Sequence, residues 1–138
     1  MVDVVVNHLV SKDVPTTFST FNPFNNQSDF HPECLITDYT NQTMVEQCWL
    51  GDDKLPLADV NTENDVIVST YNDWIKTLVG NFSVDGIRID TVKHVRKDFW
   101  PNFASSSGVY TIGEVEHNET SYVADYTRES GLLSASPH

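Results

Sequence analysis

Phe82-Ser83-Val84-Asp85-Gly86-Ile87-Arg88-Ile89-Asp90 is the stretch on which the fold turns. As a strand it sends Val84, Gly86, Arg88 and Asp90 to one face and Ile87 and Ile89 to the other, against flanking helices. An Arg and an Asp facing a sheet's interior are costly unless they are paired or used. A structural ion pair meets that demand as well as a functional site does. Thr91-Val92-Lys93-His94 follows at once, however, and functional groups gather at the carboxyl ends of parallel strands.

Working outward, the segment before this strand has helical periodicity. Ile67, Tyr71, Trp74, Ile75 and Leu78 form one apolar stripe, with Thr62 and Asp65 as a capping pair and Gly80 where a left-handed C-terminus is expected. Trp74 on that stripe and Trp100 further on read as core, whereas Trp49 has no assigned role. Downstream, 95–103 predicts a shorter helix stopped or kinked near Pro101, and Val109 to Val115 a third strand. At the other end, Val2 to Val6 is a β-branched run suited to a strand covered on both faces. Strands alternating with helices imply βαβ units, hence an α/β fold with a parallel sheet and right-handed crossovers. The tail after Thr120 reads as polar and completes no further unit.

Between the first strand and the helix, residues 9–59 show no sustained period and are rich in Asn, Pro, Ser, Thr and Phe. So long an irregular stretch is normally functional or a small subdomain. It holds Cys34 and Cys48, whose disulfide would restrain it where a core cannot. A zinc site built on His31, Cys34 and Cys48 is the alternative, but it lacks a second ligand pair at suitable spacing. Asn26, Asn41, Asn81 and Asn118 each begin an Asn-x-Ser/Thr sequon, and with a disulfide they indicate a secretory compartment. With 8 Lys+Arg against 20 Asp+Glu the chain carries a formal charge of −12, which argues against nucleic-acid and anionic-membrane partners. No apolar run is long enough to span a bilayer, and the N-terminal run, broken at Asn7 and His8, reads as neither anchor nor signal peptide.

The third strand ends in Ile112-Gly113-Glu114-Val115, so Asp90 and Glu114 terminate successive strands. Alone, Glu114 reads equally well as a solvated loop acid. As a pair on strands about 4.8 Å apart, the two carboxyls can stand at the ~5 to 5.5 Å separation of a retaining glycosidase. Arg88 beside Asp90 favours the anion that a nucleophile requires. Glu114 has no cation next to it in sequence, so partial burial would suit it to general acid duty.

These segments carry a resemblance. Asp3-Val4-Val5-Val6-Asn7-His8, Gly86-Ile87-Arg88-Ile89-Asp90-Thr91-Val92-Lys93-His94 and Gly113-Glu114-Val115 resemble signature segments of the α-amylase family of glycoside hydrolases, and most of all its secreted fungal members. Leu57-Ala58-Asp59-Val60-Asn61 resembles a fourth, with Ala58 where the family usually has Pro. The likeness runs from residue 1 to about residue 134 and includes the cysteine pair and Lys97-Asp98-Phe99-Trp100-Pro101. It implies part of a (β/α)8 TIM barrel: residues 1–8 as the third barrel strand, 9–61 as the inserted calcium-associated subdomain, and 62–138 as the third helix, fourth strand, fourth helix, fifth strand and tail.

The resemblance further implies that Asp90 is the nucleophile, Glu114 the acid/base and Arg88 the partner orienting Asp90, with His8, Lys93 and His94 contacting an α-glucan. Calcium would be held by the Asn7 and Asp59 side chains and the Glu46 and His94 carbonyls, an all-oxygen set. Without the resemblance, Asn7 and Asp59 read as a strand-end cap and a helix-approach turn. Lys93-His94 favours an α-amylase over the related α-glucosidases; an α-glucosidase or transglycosylase of the same clan is the second reading, and a noncatalytic calcium- or carbohydrate-binding derivative the third. The family's third carboxylate, after its seventh strand, has no counterpart here. The expectation is therefore a catalytically silent fragment of an enzyme that is secreted and monomeric when complete.

Overall fold

The computed structural model describes the backbone of residues 1–132 and 134–136. In chain order its elements are β1 (Val2–Val5), β2 (His8–Val10), α1 (Gln42–Gln47), β3 (Leu50–Asp52), β4 (Leu55–Asp59), α2 (Asp65–Phe82), β5 (Gly86–Asp90), α3 (Trp100–Ser107), β6 (Tyr110–Glu114), α4 (Thr120–Glu129) and β7 (Ser134–Ser136). Strands β1, β5, β6 and β7 form one parallel sheet in that order. The register pairs Asp3 with Arg88, Val5 with Asp90 and Ile89 with Gly113, which brings the carboxyl ends of β5 and β6 level.

Ile87 and Ile89 are fully buried and join Val4, Val6, Ile67, Ile75, Phe99, Trp100 and Phe103 in one core cluster. Each such side chain contributes about 1.5 to 3 kcal/mol through burial, which is what seats α2 and α3 on the sheet. The opposite face, carrying Asp3, Val5, Arg88 and Asp90, is open: Val5 is 40% exposed.

The helix stripe and the strand alternation hold, but the element boundaries move. Asn64, not Thr62, caps α2, its side chain accepting from the Val66 N–H. The helix runs through Gly80 to Phe82 and ends on Ser83 in the left-handed region. One interior glycine costs only about 1 kcal/mol, less than the buried stripe supplies. β5 accordingly starts at Gly86 rather than Phe82. Pro101 lies in the first turn of α3, where its missing N–H would have had no helical partner, so it opens the helix instead of stopping it.

Trp100 and Trp49 are buried, but Trp74 is 38% exposed: it stands at the margin of the α2 stripe, its ring meeting Tyr71 edge-on while Ile75 beside it is fully buried. The tail after Thr120 is corrected too. Val123 and Tyr126 anchor α4 on the core, and β7 pairs parallel with β6, giving four parallel strands rather than three. What that reading drew from Leu133, Pro137 and His138 lies outside the described residues.

Residues 9–59 contain more order than their composition suggested. β2, β4 and β3 form an antiparallel sheet in that spatial order. A cluster of Phe18, Phe21, Phe30 and Trp49 rings packs beside it. Cys34 and Cys48 are joined in a disulfide across α1, which removes the zinc alternative. Among the described residues no helix is long and apolar enough to cross a membrane.

Candidate active site

Asp90 and Glu114 end the adjacent parallel strands β5 and β6, and the Arg88 guanidinium joins them. Its Nη1 donates to Asp90 Oδ1 at 2.7 Å and to both Asp3 oxygens at 2.9 and 3.0 Å, while Nη2 lies 3.2 Å from Glu114 Oε1. Side chains two residues apart on a strand share a face, and the register adds Asp3 from β1 to that face. One cation therefore serves three carboxylates. The expectation that Glu114 lacks a fixed cation is corrected: the cation comes across the sheet from β5, which sequence adjacency does not show. The Thr91 N–H donates to the other Glu114 oxygen, Oε2, at 3.0 Å.

After β5 the chain makes a single 3-10 turn, Val92–His94, which places Lys93 and His94 beside the carboxylates. Lys93 Nζ donates to the Glu116 carbonyl at 2.6 Å and sits 5.3 Å from the centre of the Tyr39 ring. His94 is buried and donates from Nδ1 to the Val45 carbonyl at 3.0 Å. Burial pushes its pKa down to about 4, so the imidazole is neutral at ordinary pH. His8 is also lowered by burial, against the pull of Asp90, and its Nδ1 lies 2.6 Å from Asn7 Oδ1.

The resulting open cleft holds Asp90, Lys93 and Glu114 together with Tyr39, His117 and Tyr122. His8 is not among the residues that line it. Sequence reasoning missed the last three cleft residues. Tyr39 comes from the irregular stretch, where no period marks a position. His117 stacks on Tyr122 with ring centres 4.0 Å apart, a contact made only because α4 folds back beside β6. Gln42 of α1 was missed as well: its amide contacts the Lys93 carbonyl and the Tyr122 and Tyr126 hydroxyls, tying the cleft's loop segments together.

Behind the cleft, Asn7 and Asp59 are both buried, and Asn7 Nδ2 donates to Asp59 Oδ1 at 3.1 Å. The His94–Val45 hydrogen bond ties the segment holding His94 to the segment holding Glu46, whose carbonyls are the other two expected calcium donors. His31, considered from the sequence only as a zinc ligand, bridges Asp59 at 2.5 Å and Glu63 at 2.6 Å instead. Burial alone would lower its pKa, but the two carboxylates raise it to about 9 and hold it as an imidazolium donating from both nitrogens. Among the described residues no group of three His, Cys, Asp or Glu side chains is arranged to hold a metal. The expected donors are an amide, one carboxylate and two backbone carbonyls.

A parallel sheet with helices outside and two acids at neighbouring strand ends is the architecture of a (β/α)8-barrel enzyme segment. The family model for the alpha amylase catalytic domain matches residues 1–135, and the chain belongs to that family. Alpha-amylase 1 of Lipomyces kononenkoae is 51% identical over 137 residues, which are 97% of this chain and 22% of that protein. The alpha-amylase of Saccharomycopsis fibuligera is 44% identical over 128 residues, 91% of this chain and 26% of that protein. An alpha-amylase from Malbranchea cinnamomea superposes with a TM-score of 0.91 at 41% identity, covering 98% of this chain and 28% of that one. The Geobacillus thermoleovorans alpha-amylase, solved with acarbose, gives 0.82 at 29% identity, covering 98% and 29%. The chain thus spans about a quarter of the length of the relatives it matches.

Proposed function

We propose that this chain supplies the nucleophile and the acid/base of a retaining α-glucan hydrolase that cuts internal α-1,4 bonds of starch or glycogen. The observation that carries the reading is the pair Asp90 and Glu114 at level strand ends, gripped by one guanidinium. In the first step an Asp90 oxygen attacks the anomeric carbon, the bond to the leaving sugar oxygen breaks, and Glu114 gives that oxygen a proton. In the second, water attacks the glycosyl-enzyme, Glu114 takes the water's proton, and Asp90 is released; two inversions leave the configuration retained. Arg88 keeps the two carboxylates on one face without spending either on the other. Lys93 supplies a donor for sugar hydroxyls and the neutral His94, its one N–H given to the Val45 carbonyl, an acceptor at Nε2, while Tyr39 and the His117–Tyr122 stack supply flat apolar surface.

The test is an exchange of residues 1–135 for the matching stretch of the Malbranchea cinnamomea enzyme, which the backbone agreement permits. The chimera is expected to release reducing ends from starch and to be inhibited by acarbose. A folded chimera with no turnover would sink the reading. The 138-residue chain by itself is expected to release none, since the family's third carboxylate has no counterpart in it; reducing-end release by the purified chain would overturn that.

Calcium fits the donor chemistry at Asn7, Asp59 and the Glu46 and His94 carbonyls, because a hard cation takes neutral and anionic oxygens together. Its contribution there is structural: it would tie residues 9–61 to the sheet. Linkage to a site held at a thousand times its Kd adds about 4 kcal/mol to stability. Chelation is therefore expected to lower the unfolding temperature of the chimera by several degrees, and Asp59→Asn to erase most of that difference in a thermal melt. An unchanged melt on chelation would remove calcium from the account. The disulfide and the exposed sequon residues Asn26, Asn41, Asn81 and Asn118 support a secreted glycoprotein.

A further inference from the structure

Thr91, the residue after Asp90, stands in the left-handed region with φ 53° and ψ 37°. A β-branched side chain is strained there, and strain that a fold maintains marks a position with work to do. Two contacts account for it. The Thr91 hydroxyl lies 2.6 Å from Asn7 Oδ1, on a residue that is itself buried and fixed by Asp59. The same turn aims the Thr91 N–H at Glu114 Oε2, 3.0 Å away. With Arg88 at Oε1, Glu114 is held at both oxygens, so the plane of its carboxyl is set from β5.

We propose that Thr91 is a positioning residue for proton transfer: its hydroxyl, anchored on Asn7, locks the left-handed turn that orients the Glu114 carboxyl. The proposal rests on the hydrolase reading, in which Glu114 protonates the leaving sugar. It separates two duties within one strand end, with Asp90 attacking and the next residue aligning the acid. It also explains why a threonine can occupy a turn that would suit glycine better: the hydroxyl contributes a contact that glycine lacks.

The test uses the chimeric catalytic domain and two donors that differ only in how much they need the acid. A maltooligosaccharide leaves as an alkoxide unless it is protonated, whereas an α-maltosyl fluoride releases fluoride with little help. Thr91→Ala is expected to lower kcat on the oligosaccharide by about 30- to 100-fold and on the fluoride by less than about 3-fold, while Thr91→Ser stays within about 3-fold of the parent on both. Glu114→Gln is the benchmark and should show the same selectivity more strongly.

Equal losses on the two substrates, or none, would overturn the positioning role while the benchmark leaves the hydrolase reading intact. If Glu114→Gln itself shows no selectivity, the assignment of Glu114 fails and the proposal falls with it. Should Thr91→Ala not fold, Thr91→Gly carries the test, because glycine enters the left-handed region unaided. It should show the same selectivity to a smaller degree, and a uniform loss would again overturn the proposal.

Discussion

Asp90→Asn in the chimeric catalytic domain is expected to cut kcat on starch by roughly 10⁴-fold or more, with the fold and the unfolding temperature nearly unchanged. Asparagine keeps the shape of the side chain and a partner for Arg88 but cannot form the glycosyl ester on which a retaining mechanism depends. The residue is part-exposed at a strand end, so the structure has little reason to suffer. Initial rates on starch, together with a melt, check the claim. Turnover within tenfold of the parent would show that Asp90 does not attack the sugar.

Arg88→Leu should be the second most damaging change, and it should act on both activity and stability. The guanidinium is the shared partner of Asp3, Asp90 and Glu114, and no other residue donates to the Asp3 carboxyl among the described contacts. Without it three like charges crowd one face and splay apart. A misplacement of about 1 Å at the reacting groups is enough to cost roughly 10²-fold, and the lost electrostatic support adds to that, so about 10³-fold in kcat is expected. Arg88→Lys restores a charge but not a planar fork that reaches two carboxylates at once, so it should recover the melting temperature more fully than the rate. Equal activity of Arg88→Leu and the parent would refute the shared grip.

Much of this site was legible because its residues obey local periods. The two-residue alternation of β5 put Arg88 and Asp90 on one face, and the apolar stripe of α2 said what covers the other. Reading strand ends as functional then joined Asp90 to Glu114 without any coordinates. Boundaries were harder, since a helix end depends on small differences: a single glycine was too weak a stop at Gly80, and a proline in a first turn was no stop at all.

The antiparallel β2-β4-β3 sheet stayed hidden because its strands are three to five residues long. Strands so short are made by their partners and by the rings beside them rather than by their own pattern. His31 shows the same limit from another side. The one neighbour that suggested a role for it, Cys34, is spent in the disulfide, and it is Asp59 and Glu63, 28 and 32 residues on, that clasp both of its nitrogens.

What the sequence determined by itself was therefore the alternation of strands and helices, the family, and which acids stand at the strand ends, because these follow from side-chain direction along one element. Only the tertiary structure decided how those acids are held. Arg88 reaching from β5 to Glu114, Thr91 leaning on a residue 84 positions earlier, and His117 stacking against α4 are contacts between elements. Their energies depend on distances that folding alone creates.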